Sequence, residues 1–524
     1  MHGYLALILH AHLPFVRHPE HERFLEESWF YEAVTDCYLP LLQKLEQWER
    51  DALPARLALT LSPTLCSMLQ DPLLRSRCAR RLDALVELAE REIHRTHWDA
   101  ALQPVAVFYH DRLRRQRALF AEHAGDLLAA FRHFQDAGLL EIITCAATHA
   151  ILPLLTRHPT SIRAQLLVAR DHYQACFGRT PRGIWLPECA YVADLEPFLR
   201  EAGLQWFVVD THGIMHATPR PLHGVFAPVI TPGGLAAFGR DSDSARQVWS
   251  RDGGYPGDPR YRDFYRDIGF DLDLDYVRPC LPSPEIRGFT GIKYHRITGP
   301  GSPKAPYQPS AALDATREHA RHFLASRQQQ LAALSHSFDR PPLILCPYDA
   351  ELFGHWWFEG PEFLDAVTRS AAAPSSNLRL VTPGEYLASH PSQQAATPAG
   401  SSWGEDGSWK LWLHESNSWI FPHLEAAQER MTALARRHPH ATGLTARALR
   451  QAGRELLLAQ SSDWPFILRT QTAAAYATRR VKEHLLNFLA LHEQLTASRP
   501  DEPWLAALEA RDNLFPALDP GYWG

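Results

Sequence analysis

The chain has 524 residues, 45% of them hydrophobic, which is enough for a large core and more than one domain. Its formal net charge of -6 and the lack of a long basic run argue against nucleic acid as the main partner. Eight cysteines with no Cys-x-x-Cys pair point to reduced thiols in a cytoplasmic protein, and fifteen tryptophans are enough to line a groove as well as fill a core.

The apolar run Tyr4-Leu5-Ala6-Leu7-Ile8-Leu9 is too short for a membrane span and lacks the basic lead-in of an export signal, so it is read as a first strand. It ends in His10-Ala11-His12-Leu13-Pro14, and strand periodicity turns His10 and His12 the same way. Helical spacing follows around Trp29 and Trp48, then a second strand ending in Ser62-Pro63-Thr64. Residues 73–138 are arginine-rich and helical, and a strand over 140–149 delivers His149. The run Gly183-Ile184-Trp185-Leu186-Pro187-Glu188-Cys189-Ala190-Tyr191 reads as a buried strand ending on an acid, with a helix from near Asp194. Another strand begins at Trp206, and this alternation predicts a parallel α/β barrel. Residues 224–298, punctuated by Gly233-Gly234 and Gly253-Gly254 and followed by Pro300-Gly301-Ser302-Pro303, are expected to cover the barrel mouth. A helix over 310–338 leads to the strand Leu343-Ile344-Leu345-Cys346-Pro347-Tyr348-Asp349, and a final strand lies at 378–381. The expected division is a barrel from 1–72 and 139–389, a helical insertion at 73–138, a Ser/Pro/Ala/Gln-rich linker at 390–402 and a helical domain at 403–524.

Glu188 and Asp349 both fall at strand ends, the edge where parallel α/β folds bind substrates. Two such acids with aromatic neighbours point to a glycosidase, whose retaining form needs its carboxyls about 5–5.5 Å apart. Asp349 is expected to hold a proton because Tyr348, Phe353, Trp356 and Trp357 desolvate it, while His10, His12 and His149 keep Glu188 ionised. Glu351, Asp210 and Asp463 read equally well as helix caps or loop hydrogen bonders. Trp29, Trp185, Trp403, Trp412 and Trp464 either stack on sugar faces or fill core. A zinc-dependent barrel hydrolase is the rival class, since His10, His12 and later strand-end histidines resemble a ligand set. Glu188 stands where such barrels place a lysine or histidine. A non-catalytic glucan-binding protein is disfavoured because both acids are present.

Five segments resemble, in order, the signature regions of glycoside hydrolase family 57, and the likeness is closest to its 1,4-α-glucan branching enzymes. They are His10-Ala11-His12-Leu13-Pro14, the eight residues from Ala147 through His149 to Leu154, the Glu188 run above, the stretch from Pro347 through Asp349 to Trp357, and Ser462-Asp463-Trp464-Pro465-Phe466. The resemblance implies an incomplete (β/α)7 barrel with a helical insertion and a C-terminal all-helical domain. It also implies retaining chemistry on α-1,4-glucans, with Glu188 as nucleophile and Asp349 as acid/base. The substrate-binding candidates are His10, His12, Trp29, His149, Trp185, Phe270, Trp403, Trp412, Asp463 and Trp464, and no metal or cofactor is expected. The expected activity is glucan branching through a glucosyl-enzyme, with an amylase-like hydrolase on the same scaffold as the alternative. Branching enzymes of this kind are expected to carry a longer, tyrosine-tipped lid over residues 230–248. Here that stretch opens with Thr231-Pro232-Gly233-Gly234-Leu235 and has no tyrosine, so a short lid that excludes water poorly is predicted.

Overall fold

The computed structural model describes residues 3–524 except 251, 252, 284, 300 and 302, so Pro300 and Ser302 lie outside the described residues. Strand β1 (Gly3–Ala11) is buried at every position, as a parallel strand covered on both faces must be. It pairs in parallel with β8 (Leu343–Asp349) from Tyr4 to His10 and with β2 (Leu57–Leu61) from Ile8 to Ala11. Its first residues also pair with β9 (Leu378–Leu380), and β3 (Leu140–Ile143) continues the sheet from β2. A second parallel run joins β4 (Gly183–Ile184), β5 (Trp206–Val209) and β7 (Ala236–Gly239).

The two runs meet at two thin seams. Thr144 bridges Ile184 in parallel, with Trp185 N donating to Thr144 O at 2.9 Å. On the other side Asp241 N donates to Leu345 O at 3.0 Å. The strands β1, β2, β3, β4, β5, β7 and β8 therefore form a seven-stranded barrel closed by a few hydrogen bonds, which is the physical content of its incompleteness.

Helices cover the ring. One runs from Glu27 to Arg50 through a π-helical turn at Val34–Tyr38. Gly354 (φ 120°) lies against that turn, where a Cβ would stand 1.9 Å from Asp36 O, so only glycine lets the loop after β8 dock there. The arginine-rich stretch forms helices Pro72–Arg95, Gln103–Glu122 and Leu127–Asp136. The loosely patterned region after β7 does not simply cover the mouth. It rests on these helices, Tyr276 and Tyr294 both donating to Glu92 at 2.8 Å, and it reaches the loop after β8 where Phe264 stacks on Trp356 at 4.5 Å.

Residues 390–402 are not a free linker. Strand β10 (Gln394–Ala395) pairs with β6 (Val229–Ile230), Thr397 bridges Thr218, and Ser401 bridges Tyr191. The small side chains that read as flexible let this segment lie flat along the barrel. Beyond it stand helices Ile420–Arg437, Gly443–Ala459, Asp463–Thr470, Ala474–Thr496 and Glu502–Arg511. All eight cysteines are free and buried. Among the described residues no helix is long and apolar enough to cross a membrane.

The expected lid is also relocated. Thr231–Leu235 is the turn of an antiparallel hairpin between β6 and β7, closed by Thr231 N donating to Leu235 O at 2.8 Å. It leads into the first residue of β7, at the end of the barrel away from the carboxylates. At the mouth end only Arg240 and Asp241 separate β7 from helix Ser242–Trp249. Asp241 leaves this connection no slack, because it caps the helix through Ser244 N at 2.8 Å and accepts from Arg327 at 2.8 Å.

Candidate active site

Strand β4 pairs for two residues, after which the chain turns sharply and sets Glu188 in the left-handed region at φ 60°, ψ 24°. His149 beyond β3 is left-handed too, at φ 58°. Such backbone costs about 1–3 kcal/mol for a residue with a Cβ and persists only where its surroundings hold it. Here both strained residues are held by the C-terminal half: Trp403 N donates to Glu188 O at 3.0 Å and Ser462 N to His149 O at 3.1 Å.

The Glu188 carboxylate accepts from Trp403 Nε1 at 2.7 Å and from Ser462 Oγ at 3.1 Å. Because Ser462 spends its proton on Glu188, it must accept from His149 Nδ1 at 2.7 Å. His149 Nε2 is then left to accept from His10 Nε2 at 2.9 Å. His10 Nδ1, unprotonated in this direction, is an acceptor without a partner. A single chain of donors thus runs from His10 to one oxygen of Glu188. Burial holds both His10 and His149 well below the usual histidine range, in the neutral form the chain needs. The third histidine, His12, lies 3.1 Å from Asp463 through Nε2 and 2.9 Å from Ser62 Oγ through Nδ1. Burial alone would raise Asp463, but the contacts to His12 and the Ser461 hydroxyl outweigh it and hold that carboxyl below its usual value.

Asp349 ends β8 opposite His10 on β1. Its pKa is pushed well above the carboxylate range, first by burial and then by the charges of Glu351 and Glu188, with Arg240 opposing. Desolvation, the expected cause, is thus the largest one, and the two neighbouring carboxyls reinforce it; of the four aromatics named for it Tyr348, Phe353 and Trp357 are buried, while Trp356 is 56% exposed on Phe264. Glu188 departs from expectation. Burial lifts it to about 7 despite the Trp403, His12 and Ser462 contacts, so it is not held fully ionised.

Sequence reasoning missed two contributors, Tyr38 and Ser462, and read a third, Glu351, only as a helix cap or loop hydrogen bonder. Glu351, also raised to about 7 by burial, accepts from Tyr38 OH and from His12 N at 3.3 Å. Tyr38 reaches it from the π-helical turn, a feature without a sequence signal. Ser462 stood inside the fifth quoted segment but was passed over for Asp463 and Trp464.

The aromatic candidates separate. Trp403 is half-buried with its indole N–H on Glu188, its ring edge-on to Trp185 at 5.1 Å and the Arg240 guanidinium 5.8 Å above it. Trp185, Trp412 and Trp464 are at most 1% exposed and offer no ring face to a sugar. Trp185 stacks under His10 at 4.6 Å, Trp412 packs with Ile151 and Ala190, and Trp464 donates to Leu458 O at 2.7 Å. Trp29 is half-buried, edge-on to Tyr476. Phe270 is 46% exposed and packs on Phe289, apart from the carboxylates.

A metal fits poorly. His10, Cys145 and His149 bring one donor atom each within 4.8 Å of one another. The two Nε2 atoms are hydrogen-bonded to each other, however, and burial keeps the Cys145 thiol protonated. The arrangement brings together two carboxylates with displaced pKa values and a fixed donor chain, a combination that acid/base and nucleophilic chemistry on a glycosidic bond can use.

Known proteins resemble this chain over nearly its whole length. The 1,4-alpha-glucan branching enzyme of Thermococcus kodakarensis is 32% identical over 98% of this chain and 78% of its own length. The crystal structure of the alpha-amylase AmyC from Thermotoga maritima matches with a TM-score of 0.93 and 41% identity, covering 100% of this chain and 99% of the other. That of a branching enzyme from Pyrococcus horikoshii matches at 0.89 and 32%, covering 100% and 97%. Residues 423–523 match the C-terminal domain of 1,4-alpha-glucan branching enzymes, and residues 6–398 match glycosyl hydrolase family 57, the family to which this chain belongs.

Proposed function

We propose that the protein is a cytoplasmic, retaining 1,4-α-glucan branching enzyme with a large hydrolytic share. The observation that carries the reading is the Glu188–Asp349 pair, one carboxyl oriented by the Trp403 and Ser462 donors and the other kept protonated by burial and its acidic neighbours. Glu188 attacks the anomeric carbon while Asp349 protonates the departing glycosidic oxygen, leaving a glucosyl-enzyme and a free chain end. Asp349, now ionised, then takes the proton from an incoming 6-hydroxyl to form an α-1,6 branch, or from water to release the chain.

The second product follows from one observation. Transfer wins only where water is kept from the intermediate, and the two-residue connection between β7 and its helix builds no lid over it. Likeness both to branching enzymes and to a structure described as an alpha-amylase fits a protein that does both. The test is incubation with amylose, counting new α-1,6 linkages and new reducing ends together. Both are expected to rise. Reducing ends alone would leave an amylase, and branches without excess reducing ends would refute the hydrolytic share.

A further inference from the structure

The residues that follow β5 and β7 line an open cleft of about 360 Å³. This is within the roughly 300–1,000 Å³ of small-molecule sites. Asp210 and Arg240 come from the carboxyl ends of those strands, so the cleft opens on the same face of the barrel as Glu188 and Asp349. Its other wall is helix Ser242–Trp249, on which Ser242, Arg246 and Trp249, spaced four and three apart, share one exposed face. Two hydrogen bonds hold this helix against the strand that carries Asp349: Asp241 N donates to Leu345 O at 3.0 Å, and Tyr348 OH to Ser244 O at 3.1 Å. Trp249 is 38% exposed and meets Trp403 edge-on, the ring centroids 6.4 Å apart and the planes at 80°. Trp403 in turn has its indole N–H on Glu188, so the cleft adjoins the catalytic pair through two tryptophans in contact.

The walls suit a neutral ligand with one apolar face. Arg240 is paired with Asp210 at 3.2 Å and Arg246 with Asp243 at 2.9 Å, so the charges balance. The partly exposed Asp210–Arg240 pair offers an acceptor and donors fixed in direction, which vicinal hydroxyls answer by donating to one and accepting from the other, while the flat indole takes the C–H face of a pyranose ring. The attachment of the helix says which chain this is. In the proposed reaction Asp349 takes the proton of the incoming 6-hydroxyl, so the receiving chain must approach along β8, and β8 is the strand to which the helix is bonded. We propose that Trp249 is the stacking platform of an acceptor subsite, which holds the glucan chain that receives the branch with its hydroxyls against Asp210 and Arg240. The choice of an acceptor glucan rests on the proposed function. Asp241, which caps the helix and pairs with Arg327 at 2.8 Å, fixes the platform before any chain arrives, so binding spends little on ordering it. An acceptor positioned there competes with water for the glucosyl-enzyme although no lid covers it.

The test uses Trp249→Ala, Trp249→Leu and Trp249→Phe with α-maltotriosyl fluoride as donor, whose leaving group is too small to occupy an acceptor subsite, and fluorescently labelled maltoheptaose as acceptor. Fluoride release counts glucosyl-enzyme formed, and lengthened label counts transfer. The Ala and Leu variants are expected to need about fivefold more acceptor for half-maximal transfer, the effect of one lost stacking contact, while the Phe variant, which keeps a flat ring, stays within about twofold of the parent. An unchanged half-saturating concentration in the Ala variant overturns the proposal. So does a Leu variant that behaves as the parent, which would make the ring packing only, and so does a lower ceiling of transfer at unchanged half-saturation, which would make it a water shield. Failure of the functional reading shows separately in the unmodified enzyme, as fluoride release without any lengthened acceptor, and would overturn both.

Discussion

Glu188→Gln and Asp349→Asn each remove one partner of the double displacement, so turnover is expected to fall by roughly 10²–10⁴ or more while far-UV circular dichroism stays that of the parent. A variant keeping a tenth of the activity refutes its role. The pH profile tests the same pair. Glu188 must be ionised to attack, and its pKa is raised to about 7, so kcat/KM is expected to fall as pH drops through that value. Asp349 must keep its proton, and its raised pKa sets the alkaline limb. Burial comes first for both; Glu351 and Glu188 add to the rise of Asp349, and Asp463 adds to that of Glu188. An acid limb in the ordinary range of about 4–5 would contradict this. Trp403→Phe removes the donor that favours the charged form of Glu188, so the acid limb is expected to move up by roughly one pH unit; a downward shift would show that the indole N–H does not stabilise the carboxylate.

Two elements carry predictions of their own. The segment after residues 390–402 places Trp403 on Glu188 and Trp412, nine positions on, in a core with Ile151 and Ala190. Trp412→Ala is therefore expected to lower stability by about 3–5 kcal/mol in urea unfolding; an unchanged unfolding midpoint with a raised glucan KM would restore Trp412 as a sugar platform. The tight connection from β7 into helix Ser242–Trp249 predicts the product ratio. Inserting a longer, tyrosine-tipped loop between Arg240 and Asp241 is expected to shift products from reducing ends toward α-1,6 branches, measured on debranched and untreated samples. No change in the ratio would mean that other residues exclude water.

For the whole molecule, the buried Glu188 carboxylate carries a pH-dependent cost in stability. Glu188 has a folded pKa raised from 4.5 to about 7, so its contribution is fully present below the unfolded value and is lost as pH rises through the folded one. Glu188→Gln removes that loss. The variant is expected to be more stable than the parent by up to about 3 kcal/mol at pH 8 and equal to it near pH 4, as read from unfolding midpoints. Equal midpoints at pH 8 would show that the buried charge costs nothing. The parent alone does not reveal the effect. His10 and His149, held well below the usual range, and His18, lowered to about 4, lose stability as pH falls and so oppose the carboxylates in the window between about 4.5 and 6.5.

The sequence by itself determined the barrel and its two acids. Hydrophobic runs of strand length ending on Glu188 and Asp349, separated by helical spacing, are local patterns, and the chemistry of paired strand-end carboxyls follows from position alone. The helical insertion and the helical character of the C-terminal domain were legible for the same reason; the short helix Asp463–Thr470 was not, because eight residues with a proline hold too few turns to show a period. Tertiary structure decided everything that depends on contacts distant in the chain. Ser462 meets Glu188 across 274 positions and Tyr38 meets Glu351 across 313, so no local pattern announces either. Whether a tryptophan faces sugar or core depends on what packs against it, which separated Trp403 from Trp412. The Gly-rich turn read as a lid belongs to the opposite end of β7, because a hairpin reverses direction and composition carries no record of which end of a strand a turn occupies. The raised pKa of Glu188 was out of reach for a related reason: polar neighbours are visible in the motifs, but the burial that outweighs them exists only once the barrel and the helical domain close over Glu188.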